Sequence, residues 1–182
     1  MRSLLLLCCL SACASKAAPQ PPRLSDPSKA DDGGLVIEPL GVLEYDGEVS
    51  GELAVDVFDA YTFDASEGAI VTLDNSHRGT AAALDSVLYV YGPRDDNGFY
   101  GATPIAIDDD SGWGAHARLS ELALPAAGEY LAVLGLTKDA TPGHYRLTLA
   151  CDSGQCVDTA PSVIVDATPL MVGEDAASQS FE

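Results

Sequence analysis

Positive charge is scarce in this chain: 9 Lys and Arg stand against 28 Asp and Glu in 182 residues, for a formal charge of −19. A phosphate backbone is held by neutralising it with Lys and Arg, so this balance excludes nucleic acid as a partner. It equally excludes adsorption to an anionic lipid surface through a basic patch. Helical periodicity is missing as well. The longest helical candidate, Arg118 to Leu124, stops at Pro125 and places Leu119, Leu122 and Leu124 without a 3.6-residue repeat. The spacings of familiar catalytic centres are absent too. Ser50 has Glu48, not Gly, two places before it, so there is no Gly-x-Ser-x-Gly elbow. His77, His116 and His144 stand singly, without the i, i+4 pairing that holds zinc. Asp-Ser-Gly occurs at Asp110 and Asp152, but the second copy lies inside a short cysteine bracket with no room for a substrate cleft. These absences argue against an enzyme.

Export is written at the N-terminus. Met1-Arg2 precedes an apolar run from Leu4 to Leu10 and small residues at Ser11 and Ala12. That is a secretory leader, too short for the roughly 20 apolar residues of a membrane span. Leu10-Ser11-Ala12-Cys13 resembles the bacterial lipobox, in which the cysteine thiol accepts a diacylglyceryl group and becomes the first mature residue. Ordinary cleavage after Ala14 is the competing expectation, since Ala12-Cys13-Ala14 fits the A-x-A rule. Cys13 is followed by Ala14 and not Asp, which in lipoproteins implies sorting to the outer membrane. Removing the leader takes away Arg2 and no acid, so the mature charge is one unit more negative, −20.

With Cys8 and Cys9 in the leader and Cys13 acylated, Cys151 and Cys156 remain. They flank Asp152-Ser153-Gly154-Gln155, a turn-forming stretch, in an oxidising compartment, and a disulfide is expected. Closing so small a loop contributes about 2 kcal/mol on the chain-entropy account. A zinc pair would need a second Cys or His pair nearby, which the sequence does not supply.

Domain organisation follows from composition. Residues 1–12 are the leader, and residues 13–34, with Pro19, Pro21, Pro22 and Pro27, read as a disordered tether. Residues 35–165 form the folded domain, and residues 166–182 an acidic flexible tail. Within the domain, apolar residues alternate in short runs bounded by Gly, Pro, Asn and Asp, the pattern of strands. Val57, Tyr61 and Phe63 share a face, as do Ala69, Val71 and Leu73. Ser86 to Tyr91 is apolar on both faces and suits a sheet centre. Tyr145, Leu147 and Leu149 alternate with His144, Arg146 and Thr148, and Ser162 to Val165 offers a last edge strand. Glu67-Gly68, Asp96-Asn97-Gly98 and Thr141-Pro142-Gly143 supply turn chemistry between them. Eight or nine strands at this spacing predict an all-β, antiparallel sandwich, with a small barrel as the alternative.

Five motifs in order resemble those of bacterial pre-peptidase C-terminal domains. They are Gly47-Glu48-Val49-Ser50-Gly51-Glu52-Leu53 with Asp59-Ala60-Tyr61-Thr62-Phe63, then Asp85 to Tyr91, Ile107 to Gly112, Ala127 to Val133, and Gly143 to Leu149. The resemblance covers about residues 45 to 150 and implies a jelly-roll-like sandwich, normally a non-catalytic accessory on exported proteins. No catalytic domain accompanies it here, a departure from the usual arrangement.

Two acidic groups are candidates for calcium. Asp108, Asp109 and Asp110 stand in a row before Ser111-Gly112, and a hard dication would relieve their repulsion. An EF-hand is excluded, because counting from Asp108 puts Gly112 at position five and Leu119 at position twelve. The resemblance implies a second site at Asp56 and Asp59, which match the aspartates entering the family's Asp-x-Tyr-x-Phe strand in its collagen-binding members. For binding, Trp113 falls in a loop where it could stack on a ligand, and Tyr89 and Tyr91 face alike, opposite Leu88 and Val90. The family's collagen binders use such a tyrosine-rich face. The expectation is a non-catalytic outer-membrane lipoprotein held by its lipid. Its sandwich would bind an extended peptide or glycan, with calcium as an optional cofactor. The alternative is a structural envelope subunit, or an accessory to a secreted peptidase or export system, whose partner is an envelope protein.

Overall fold

Two-residue alternation becomes nine strands in the computed structural model, which describes residues 20–77, 84–138, 140–154 and 156. The leader, Cys13, the stretch 162–165 and the tail 166–182 lie outside the described residues. The strands are β1 (Gly41–Val42), β2 (Glu48–Leu53), β3 (Asp59–Ala65), β4 (Ile70–His77), β5 (Ser86–Tyr91), β6 (Ala106–Asp108), β7 (Arg118–Ala123), β8 (Gly128–Leu136) and β9 (Gly143–Ser153). A five-stranded sheet runs β1-β3-β8-β5-β6 and a four-stranded sheet runs β2-β9-β4-β7. Neighbours pair antiparallel except β1, which lies parallel to β3 with Gly41 opposite Tyr61. The expected sandwich is thus the observed architecture, with one parallel edge pair that alternation alone does not specify.

The inner faces of the two sheets meet in one apolar core. Tyr61, Phe63, Leu88, Val90, Tyr130 and Leu134 come from the five-stranded sheet, and Leu53, Val71, Leu73, Tyr145, Leu147 and Leu149 from the other. Burial of this apolar surface is the main favourable term for the fold, at about 25 cal/mol per Å². Phe63 and Tyr130 stack with ring centroids 5.5 Å apart. Polar tips inside the core are paired. The Tyr145 and Tyr61 hydroxyls lie 2.7 Å apart across the sheets, and Tyr145 donates to Asp59 Oδ2 at 2.7 Å. Gly51 lies directly opposite Tyr145 in the β2–β9 register. A Cβ there would come within 2.8 Å of the Tyr145 ring, so only glycine leaves the ring its slot.

Two sequence expectations are corrected, and one irregular spacing is explained. Val57 is exposed and precedes β3, so Tyr61 and Phe63 carry that face without it. On β7 the spacing of Leu119 and Leu122 breaks alternation because the β4–β7 register shifts between Val71 and Leu73, with Leu122 opposite Val71 and Leu119 opposite Leu73. The extra residue is taken up where Glu121 adopts φ 52°, and Thr72 Oγ1 accepts the Glu121 N–H at 3.2 Å. The second correction concerns the tether, expected to be disordered over 13–34. From residue 22 onward it is folded against the domain, with Leu24 buried on the outer face of the five-stranded sheet. Further along, Cys151 and Cys156 form the expected disulfide, and Asp152 beside it accepts from Thr72 Oγ1 at 2.6 Å. The bridge therefore closes a turn already hydrogen-bonded to β4.

Candidate functional site

Strands with apolar residues on both faces need cover on both sides, and β5 and β8 are such strands. Val87, Tyr89 and Tyr91 of β5 and Leu131 and Val133 of β8 point away from the sandwich interior, yet all are buried. The segment 22–38, here called the strap, supplies part of the cover. Leu24 enters this second core, Ile37 packs against it, and Phe58, Phe99 and Tyr100 close its margin. Tyr91 donates its hydroxyl to the Pro22 carbonyl, which pins the start of the strap to β5.

The strap holds its own shape through two carboxylates. Leu24 and Leu35 form a parallel bridge, with Ser25 N–H donating to the Leu35 carbonyl at 3.0 Å. Asp32 accepts from the backbone N–H of Asp26 and of Gly34, each at 3.0 Å, from Ser25 Oγ at 2.9 Å, and from Arg23 at 3.2 Å. Those donors, the Asp26 N–H foremost, hold the Asp32 carboxyl at a pKa of about 2. Asp26 pairs with Lys29 Nζ at 2.7 Å and accepts twice from Ser28, and the Lys29 contact above all lowers its pKa to about 2.

Between the strap and the loop 94–100 lies a groove with a cavity of about 500 Å³. Its floor is Leu131 and Thr62, cross-strand partners on the outer face of the five-stranded sheet, together with Leu24. Leu35, Ile37 and the largely exposed Val36, at 71%, form one wall, and Phe99 and Tyr100 the other. β1 runs along one end through Gly41 and Val42. At the opposite end three polar side chains form a closed set. Arg94 Nη1 meets Glu129 Oε1 at 3.2 Å, Tyr100 donates to the same oxygen, and the Arg94 guanidinium sits 5.8 Å from the Tyr100 ring centroid. Burial, then the Glu129 contact, pushes the Tyr100 hydroxyl well above the ordinary tyrosine range. Asp95 Oδ1 accepts from the N–H of Asn97 and of Phe99, each at 2.9 Å, which fixes the turn that presents this wall. Gly98 in that turn has φ 85°, the positive value the Asn-Gly pair predicted.

The residues singled out by sequence are dispersed. Tyr89 and Tyr91 do face alike, but they are 1% and 0% exposed beneath the strap and its neighbours, so the open aromatic platform is corrected to a covered one. Burial pushes the Tyr89 hydroxyl up to about 12, with the Asp109 charge adding to it. Trp113 is 79% exposed in the loop after β6, its ring 6.4 Å from that of His116, whereas the two tyrosines are buried. Asp108 Oδ2 accepts from the N–H of Arg118 at 2.7 Å and of Ser111 at 3.1 Å, so this carboxylate is engaged in shaping its turn. Asp59 accepts from Tyr145, and Asp56 is an exposed turn residue at φ 61°. Among the described residues, no group of three or more His, Cys, Asp or Glu side chains is placed to hold a metal ion.

No protein-family model matches the chain, and no curated protein matches it by sequence. Similar solved structures include the pre-peptidase C-terminal domain of a collagenase from Bacillus anthracis, 14% identical, the match covering 63% of this chain and 99% of that one with a TM-score of 0.46. PliG from Aeromonas hydrophila, a periplasmic inhibitor of g-type lysozyme, is 18% identical, covering 60% of this chain and 92% of its own, TM-score 0.43. PliG from Salmonella Typhimurium is also 18% identical, covering 60% and 95%, TM-score 0.40.

Sequence reasoning missed the groove. Its signal was the apolar triplet Leu35-Val36-Ile37 beside a proline-rich stretch, and the Phe99-Tyr100 pair after a tight turn. Both are too short to show periodicity.

Proposed function

We propose that this chain is an exported, lipid-anchored, non-catalytic binding module of the outer membrane. On this reading it takes an extended polymer, peptide or glycan, in the groove between the strap and the loop 94–100. The observation that carries the reading is the groove itself. It combines an apolar floor, half-exposed apolar walls and one localised polar set, which is how recognition sites orient a ligand while gaining energy from burial. Its volume of about 500 Å³ falls within the range of ligand clefts. Arg94, Glu129 and Tyr100 satisfy one another, so they fix the shape of this end of the groove.

A binding array of collagen, gelatin, unrelated peptides and polysaccharides tests this reading. Retention of one class is expected, and Val36→Ser combined with Val42→Ser should reduce it roughly three- to tenfold by removing apolar contact area without changing the charge. Retention of none, together with stable co-purification with an envelope protein, would favour the structural-subunit reading instead.

The anchor is supported by the leader and Cys13. Cys13→Ala is expected to move the protein from the membrane fraction to the soluble one, and the intact mass of the membrane form should carry the acyl groups on Cys13. A membrane-bound Cys13→Ala protein would overturn the anchor.

A further inference from the structure

We infer that the occupant of the groove is an extended stretch of a cationic polypeptide, an apolar side chain seated against Leu131 with a neighbouring Lys or Arg at the rim. This rests on the binding reading above and names the partner within it.

The charge around the groove is lopsided. Glu38 stands on the strap wall and Glu129 at the end, and Asp95 and Asp96 line a neighbouring hollow that shares Arg94, Gly98 and Glu129 with the groove. The cation lining the groove is Arg94, already committed to Glu129. The strap's own cations are committed as well, Arg23 to Asp32 and Lys29 to Asp26. Glu129 also faces a like charge, because Asp64 on β3 is its direct partner across the β3–β8 ladder. Like charges directly opposite on one sheet face destabilise it. The Asp64 charge also contributes to the upward shift of the Tyr100 hydroxyl. Arg94 offsets one of these two charges, and a cation arriving at this end would offset the other, whereas a neutral glycan or an acidic peptide leaves it or worsens it.

The apolar lining settles the other half of the occupant. Leu24, Leu35, Ile37, Leu131 and Phe99 offer surface for an aliphatic or aromatic side chain. The polar groups at hand already partner one another, which leaves few to bind an array of sugar hydroxyls. An apolar residue beside a basic one, in extended chain, satisfies both surfaces. The formal charge of −19 steers such a partner from a distance, an effect that falls with salt.

Calorimetric titration of the mature chain tests the inference with three hexapeptides, alternating Leu with Arg, Leu with Ser, and Leu with Glu, alongside a neutral oligosaccharide. Two double variants separate local from overall charge. Glu38→Gln with Asp96→Asn removes rim carboxylates, and Glu52→Gln with Glu67→Gln removes exposed charges from elsewhere on the surface. The Leu-Arg peptide is expected to bind most tightly. The rim pair should weaken it roughly three- to tenfold, as losing two exposed charge contacts does, and the control pair should leave it within about twofold. Equal weakening by both pairs overturns the inference, since it reports only attraction to an acidic protein. Equal or tighter binding of the Leu-Ser peptide, the Leu-Glu peptide or the oligosaccharide, weakened in the charge-neutral Val36→Ser/Val42→Ser variant, overturns it while keeping the groove reading. Failure of all four probes to bind overturns both.

Discussion

Tyr145→Ala is expected to cost the domain about 3–5 kcal/mol, the range for emptying a buried aromatic site, and to be the most damaging single change among those considered. The ring fills the slot left by Gly51, and its hydroxyl joins Tyr61 of the facing sheet to the Asp59 carboxylate. Burial first, and then these two contacts, drive the Tyr145 hydroxyl far above the ordinary tyrosine range. Tyr145→Phe isolates the hydroxyl and should cost about 1–3 kcal/mol, since it leaves the polar partners Tyr61 and Asp59 without it. Gly51→Ala attacks the same contact from the other side, by overpacking, at about 1–3 kcal/mol. Urea unfolding followed by circular dichroism measures all three. A Tyr145→Phe midpoint equal to that of the parent would show that the network contributes nothing.

The second large effect is release of the strap. Its carboxylates Asp26 and Asp32 have folded pKa values of about 2, below the ordinary 3.8. A lowered folded pKa means that the charged form is preferred in the docked state. The stabilisation is therefore complete above about pH 4 and is lost as the pH falls through 3.8 towards 2. Leu24→Ser removes the apolar anchor directly. Its cost is that of a core leucine, about 2–5 kcal/mol, capped at the free energy that holds the strap down, because the strap can leave without the sandwich unfolding. The readout is tyrosine ionisation. Burial holds the Tyr89 hydroxyl up at about 12 while it is covered, and uncovering should return it towards 10. Leu24→Ser is thus expected to increase phenolate absorbance near pH 11 and to bind a hydrophobic dye, with the β-sheet circular dichroism signal retained. An unchanged tyrosine titration would mean that the strap contributes little cover.

The sandwich was legible because strands half-buried in a two-layer fold advertise themselves by alternation, as in Tyr145, Leu147 and Leu149. Turns were legible where Gly or Asn-Gly had to adopt positive φ, as at Gly68 and Gly98. The β7 bulge was hidden, since one inserted residue makes Leu119 and Leu122 look unrelated to either period. The strap was hidden for a different reason. Proline-rich composition argues against a packed core of its own, and says nothing about whether a few leucines can borrow one. The two-sided apolar pattern of β5 was the available clue. It showed Tyr89 and Tyr91 on a common face, and the same pattern required that something cover them.

Fixing Pro22 on Tyr91 has a consequence for reach. If the lipid is on Cys13, eight residues separate it from that fixed point, a leash of at most about 30 Å when fully drawn out. With that anchor, a docked strap would hold Pro22 no farther from the bilayer surface than that leash allows. Letting go at Pro22 would pay out the strap as extra line and more than double the radius the domain can sweep.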